Sequence, residues 1–134
     1  MKIVLDTNCL LASIAEKSRY HAAWKAFLDG RLTLCYSTEM LEEYEELLQR
    51  YYGLTTTILT MELLINSHNV KRVTPHFKWH LITADPDDDK FVDCALNSGA
   101  ACIVTNDRHF DVLKHLGFPP INVFDLQTFC GMIV

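Results

Sequence analysis

Residues 84–107, ADPDDDKFVDCALNSGAACIVTND, decide the fold. After Asp85-Pro86, the pairs Phe91/Ala95 and Val92/Leu96 recur at four-residue spacing, which predicts one face of a helix. Ser98-Gly99 closes it, because glycine takes the left-handed turn just past a helix end at no steric cost. Ala101 to Thr105 is a continuous apolar run of strand length, the pattern of a strand covered on both faces. Asn106-Asp107 follows where that strand emerges. Ligands of open α/β sheets bind beyond the carboxyl ends of the strands, so Asp107 sits at an expected site edge.

The rest of the chain repeats this grammar. Residues 2–5 predict a strand ending in Asp6, with Thr7 or Asn8 as cap of a following helix. His21 to Leu28 predicts a second helix, and Leu32 to Tyr36 a second buried strand with Ser37-Thr38 as the next cap. From Glu39 to about Tyr51, Met40, Leu41, Tyr44, Leu47, Leu48 and Tyr51 form one apolar stripe. At roughly 100° per residue, Glu42 lies opposite that stripe while Glu43 and Glu45 flank it on opposite sides. Leu54 to Ser67 predicts a separate helix, Val70 to Val73 a short strand, and Arg108 to Leu116 a helix ended by Gly117. Ile121 to Phe124 is then a strand, and Asp125 caps a last helix over 126–132. Strands alternating with helices at short spacing imply an α/β fold with a parallel sheet and helices on both faces.

Composition narrows the classes. The chain has 134 residues, 49% hydrophobic and 22% charged, and reads as one domain over 1–134 without repeats or linkers. Five widely spaced cysteines with no Cys-x-x-Cys suggest core residues of a reducing compartment. No leader pattern and no membrane-length apolar run occur, so a soluble cytoplasmic protein with no membrane partner is expected. The net charge of −5 does not advertise a nucleic-acid binder, although bound divalent metal would cancel several clustered acids.

Those acids form a pattern: Asp6 after the first strand, a glutamate on the helix after the second, Asp85 to Asp89 before a helix, Asp107 after a later strand. Crowded carboxylates repel and take up protons unless a cation neutralises them. Three or four of them, without histidine or thiolate ligands, describe a hard-cation site for Mg²⁺ or Mn²⁺. Such an ion binds phosphate oxygens and activates water for in-line attack. An EF-hand loop starting at Asp85 fails, since Lys90 and Leu96 stand where Gly and Glu are required. Asn8 stands where a phosphoaspartate hydrolase needs its second Asp, and a phosphoacceptor receiver lacks its acidic pair. There is no Gly-rich phosphate loop, zinc spacing or nucleophile elbow. Asp87 and Asp89 read as solvated first-turn acids.

IVLDTN (3–8), STEMLEEYEELL (37–48), DPDDDKF…CAL (85–96) and GAACIVTND (99–107) together resemble the PIN domain, within the branch of bacterial toxin–antitoxin toxins. The resemblance implies a three-layer α/β/α sandwich and a Mg²⁺- or Mn²⁺-dependent ribonuclease acting on single-stranded RNA. Motif by motif, Asp6, Glu43, Asp88 and Asp107 resemble the four metal-binding acids, Asp88 because it precedes Ala95 by seven residues. Asn8, Ser37 and Thr105 match the supporting polar positions. Asp89 departs from the usual Asn and Asn106 from the usual Gly, but neither removes an acid. The four acids are expected to converge, leaving Asp85 and Glu45 outside.

Expected partners are RNA, a cognate antitoxin protein and a second copy of the chain. The competing readings are a silent nucleic-acid-binding domain and a domain that chiefly occupies an antitoxin. No acid occurs from residue 63 to 84, where Lys71, Arg72 and Lys78 are available for phosphates and Phe77 or Trp79 for stacking on a base. Arg108, next to Asp107, is the other phosphate candidate.

Overall fold

The computed structural model describes residues 1–75, 78–82, 85–115 and 120–133. Strand β1 (Lys2–Leu5) leads into helices α1 (Thr7–Ile14) and α2 (His21–Leu28), then β2 (Thr33–Tyr36), α3 (Thr38–Asn66) and β3 (Val70–Arg72). A 3₁₀ turn over Pro86–Asp88 opens α4 (Asp89–Ser98), followed by β4 (Cys102–Val104), a 3₁₀ segment (Arg108–His115), β5 (Val123–Phe124) and α5 (Leu126–Ile133). The five strands are all parallel, in the order β3-β2-β1-β4-β5. The chain therefore builds outward from β1 in one direction and later from its other side through β4. That reversal makes the carboxyl ends of β1 and β4 the crevice where ligands bind in such sheets.

Burial explains the strand sequences. Ile3, Val4, Cys102, Ile103 and Val104 are almost wholly inaccessible, as expected for strands sandwiched between helical layers. Helix α4 packs across β1, β2 and β4, while α1 packs against α2 and α3, and α2 against α5. All five cysteines are free and buried. Burial pushes the Cys9 and Cys94 thiols up to about 12 and Cys102 to about 11, so they are inert core groups. No helix among the described residues is long and apolar enough to cross a membrane.

Three local expectations differ from the structure. The helices expected on either side of Gly53 run end to end as α3, broken only where Gly53 takes φ 83° and ψ 177°, a region essentially closed to side chains. The helix expected after Asp107 is a 3₁₀ segment instead, with Phe110 and Leu113 buried at three-residue spacing; its expected terminator, Gly117, lies outside the described residues. The cap of α1 is Asp6 itself; Thr7 is already helical, and its Oγ1 is buried without a hydrogen-bond partner among the described residues. Ser37 and Asp125 do cap their helices, accepting from Met40 N at 3.4 Å and Thr128 N at 2.7 Å.

Candidate metal centre

Backbone pairing carries two of the acids to the switch point. Asp6 leaves β1 with its N–H on Val104 O at 3.0 Å, so the ends of β1 and β4 are locked side by side. Thr105, buried one residue past β4, donates from Oγ1 to Asp6 Oδ2 at 2.6 Å and accepts from Asp107 N at 3.1 Å. One hydroxyl thus orients the first acid and fixes the turn that presents the last. Asp6 is 8% exposed, and burial raises its pKa; the Thr105 bond opposes that, and Glu43 and Asp107 add repulsion.

Helix α3 is fastened to the same place. Buried Tyr44 donates its hydroxyl to Leu5 O at 2.5 Å, at the end of β1. Its neighbour Glu43 is partly buried and ion-paired to Lys90 Nζ at 2.5 Å, whereas Glu42 and Glu45 are exposed. Asp88, at the end of the 3₁₀ turn, has a 13% exposed side chain. Desolvation raises its pKa to about 6; a hydrogen bond from His109 opposes the shift, and Asp107, Asp85 and Asp6 reinforce it. Asp6 therefore feels the charges of Glu43 and Asp107, and Asp88 those of Asp107, Asp85 and Asp6.

The acids do not themselves close into a single ligand cage. Among the described residues, the group of three candidate ligands whose donor atoms lie within 4.8 Å of one another is Asp85, Asp88 and His109. Asp85, expected to stand apart, is drawn in by its own turn: its Oδ1 accepts from Asp87 N at 3.1 Å and its backbone O from Asp88 N at 3.0 Å. His109 Nδ1 stands 3.3 Å from both Asp88 Oδ2 and Asp107 Oδ1, and its backbone N–H donates to Asp107 Oδ1 at 2.8 Å. Lys90 and His109 thus already hold Glu43, Asp88 and Asp107. Neither Lys90 nor His109 is signalled by acid spacing; a cation at the second residue of α4 and a histidine two residues past Asp107 are the available clues.

The remaining expected residues scatter. Asn8 is exposed on the first turn of α1, and Ser37 is buried at its cap. Lys71 Nζ donates to Ser98 O at 2.9 Å, beside Lys2, at the C-terminal end of α4 and so away from the acids. Arg72 Nη2 reaches Thr38 Oγ1 at 3.0 Å, at the carboxyl end of the sheet. Lys78 is exposed and lines, with Thr38, His80, Asp87 and Lys90, a cavity of about 470 Å³ beside the acidic turn. Arg108 is exposed next to Asp107. Trp79 is half-buried, and Phe77 lies outside the described residues.

Asp89 corrects the solvated reading given to it. It is buried, and its Oδ1 accepts from Ile82 N at 2.8 Å while His80 Nδ1 lies 3.8 Å from Oδ2. Asp93 acts alike, accepting from Trp79 N at 3.0 Å. Segment 78–82 crosses α4 without strand partners, so its N–H groups take these two carboxylates. Asp87 remains exposed.

The donor chemistry fits a hard divalent cation: carboxylates from four separate segments, no thiolate, and burial that makes their charge costly. Among the described residues, no Lys or Arg ion pair involves Asp6, Asp85, Asp88 or Asp107.

The sequence pattern of the PIN domain family matches residues 2–109. No curated protein matches the chain in sequence. Among solved structures, VapBC2 from Rickettsia felis bound to a DNA fragment from their promoter is similar over 93% of this chain and 98% of that one, at TM-score 0.63 and 14% identity. FitAcB from Neisseria gonorrhoeae is similar over the same shares at TM-score 0.54 and 15% identity.

Proposed function

The chain belongs to the PIN domain family, and from that premise we propose that it is a metal-dependent endoribonuclease cleaving single-stranded RNA. The observation that carries the reading is the meeting of Asp6, Thr105 and Asp107 at the β1/β4 switch point, where Glu43 and Asp107 add repulsion to Asp6, and Asp107, Asp85 and Asp6 add it to Asp88. Asp6, Glu43, Asp88 and Asp107 would hold one or two Mg²⁺ or Mn²⁺ ions. When bound, such an ion supplies Lewis acidity toward a phosphate oxygen and a water acidified for attack on phosphorus.

The chain's own residues do the positioning. Thr105 keeps Asp6 oriented with its charge facing the crevice, and Tyr44 holds α3 so that Glu43 overlooks the same point. Lys90 holds Glu43 in an ion pair, with which a metal ion at this centre would compete. Arg108, Lys78 and Arg72 lie at the surface around this end, and they would contact RNA phosphates. The solved neighbours' names, VapBC2 and FitAcB, support a cognate antitoxin partner for a toxin role.

One observation favours a second reading, a catalytically silent domain that binds nucleic acid or an antitoxin. Glu43 is already neutralised by Lys90. RNA cleavage by purified protein separates the two. The nuclease reading expects cleavage that EDTA stops, Mn²⁺ restores, and each of Asp6→Asn, Glu43→Gln, Asp88→Asn and Asp107→Asn removes without unfolding the chain. Cleavage surviving Asp6→Asn combined with Asp88→Asn would sink that mechanism.

A further inference from the structure

His109 is the group that the acid pattern did not anticipate, and its position is more specific than that of a surface counter-cation. Three contacts define it: a backbone N–H on Asp107 Oδ1 at 2.8 Å, and Nδ1 at 3.3 Å from both Asp88 Oδ2, which it hydrogen-bonds, and Asp107 Oδ1. Its ring nitrogen also lies within 4.8 Å of an Asp85 carboxylate oxygen. Two adjacent donors of an octahedral ion, each about 2.1 Å from it, stand about 3 Å apart. The imidazole and the Asp88 carboxylate therefore already have nearly the spacing of neighbouring ligands, and Asp85 lies within 4.8 Å of both. Asp85 is kept there by its own turn, and no lysine or arginine among the described residues pairs with Asp85, Asp88 or Asp107.

We propose that His109 is a nitrogen ligand which, with Asp85 and Asp88, forms a metal position selective for first-row transition ions over Mg²⁺. Imidazole suits such ions, whereas Mg²⁺ prefers oxygen ligands and retains water. The inference rests on the metal-centre reading above but goes beyond it: the four acids alone are an oxygen set with no reason to reject Mg²⁺. It also makes Asp85 a ligand in place of a bystander.

The test is Mn²⁺ binding by the full chain, read by calorimetry and by electron spin-echo modulation of the bound ion. Wild type should bind Mn²⁺ more tightly than Mg²⁺ and show nitrogen modulation. His109→Gln should lose that modulation and weaken Mn²⁺ by about tenfold while changing Mg²⁺ by less than about twofold. Because His109 is exposed, the variant should fold, and an unchanged melting temperature in EDTA checks this. Asp85→Asn should weaken Mn²⁺ but keep the nitrogen signal. Mn²⁺ bound with no nitrogen modulation in wild type, or equal losses of both ions in His109→Gln, would overturn the inference and leave the acid centre standing. Absence of Mn²⁺ binding by wild type would overturn both.

Discussion

Thr105→Val is the most informative single change, because valine keeps the shape and removes only the hydroxyl. The lost bond is buried, 2.6 Å long and made to the Asp6 carboxylate. Hydrogen bonds to charged groups contribute about 1.5–3 kcal/mol, and the acceptor left behind stays desolvated. The second bond, from Asp107 N, is at a residue whose side chain is 34% exposed, so water replaces it at little cost. A loss of about 2–3 kcal/mol at neutral pH is expected. For a chain of this length the unfolding entropy makes 1 kcal/mol worth about 3.6 °C, so melting should fall by about 7–11 °C. Thr105 lowers the pKa of Asp6 against the pull of burial, so its bond favours the charged form. At pH 3.5, below both the ordinary and the raised carboxylate value, the bond is to a neutral acid and the penalty should shrink to about 1 kcal/mol. Thermal unfolding in EDTA at pH 7 and pH 3.5 measures both. A loss at pH 7 under 2 °C, or equal losses at the two pH values, would refute the role given to this hydroxyl.

Asp6 and Asp88 have folded pKa values above the ordinary 3.8, Asp88 at about 6, so the folded metal-free chain holds those protons longer than the unfolded one. Their contribution to stability should therefore decline as pH rises from about 4 to above 6, and Mn²⁺ should abolish the decline; urea titrations across that range check it. Asp125, lowered by its bond with Thr128, acts in the opposite sense and only as pH falls below about 4. Gly53→Ala should cost about 1–3 kcal/mol in chemical denaturation, from backbone alone, because an added Cβ meets nothing within 4 Å. Changing Arg72 and Lys78 to Ala should flatten the log–log salt slope of single-stranded RNA binding by about 1.4, whereas Lys71→Ala should leave the slope and lower stability slightly.

The parts of the site legible in sequence are those fixed by local rules. Asp6 and Asp107 follow apolar strand runs, and parallel strands bring their ends to one crevice whatever the details between them. Thr105 matched a supporting position, and its double hydrogen bond is the physical reason a hydroxyl suits it. The choice of Glu43 over Glu45 came from family likeness, since helical geometry left both open; in the structure Glu43 is partly buried and Glu45 exposed, and Tyr44, next to Glu43, reaches Leu5 O at the end of β1. What sequence hid depends on tertiary contact. Asp89 looks like a solvated acid until segment 78–82 needs acceptors for its N–H groups, which Asp89 and Asp93 supply. Lys71 looks like a phosphate contact until the C-terminal carbonyl of α4 arrives beside it. His109 and Asp85 required two separate turns to fold toward each other.

The chemical ends of the cleaved RNA test the central claim most directly. Water attacking phosphorus at the acid centre, with the 3′-oxygen leaving, must give 5′-phosphate and 3′-hydroxyl products. End-labelled single-stranded RNA incubated with the wild-type chain and Mn²⁺ should yield those ends alone, and none in EDTA. Products with 2′,3′-cyclic phosphate and 5′-hydroxyl ends, formed equally in EDTA, would mean that the RNA's own 2′-hydroxyl attacks and that Asp6, Glu43, Asp88 and Asp107 are not a hydrolytic metal centre.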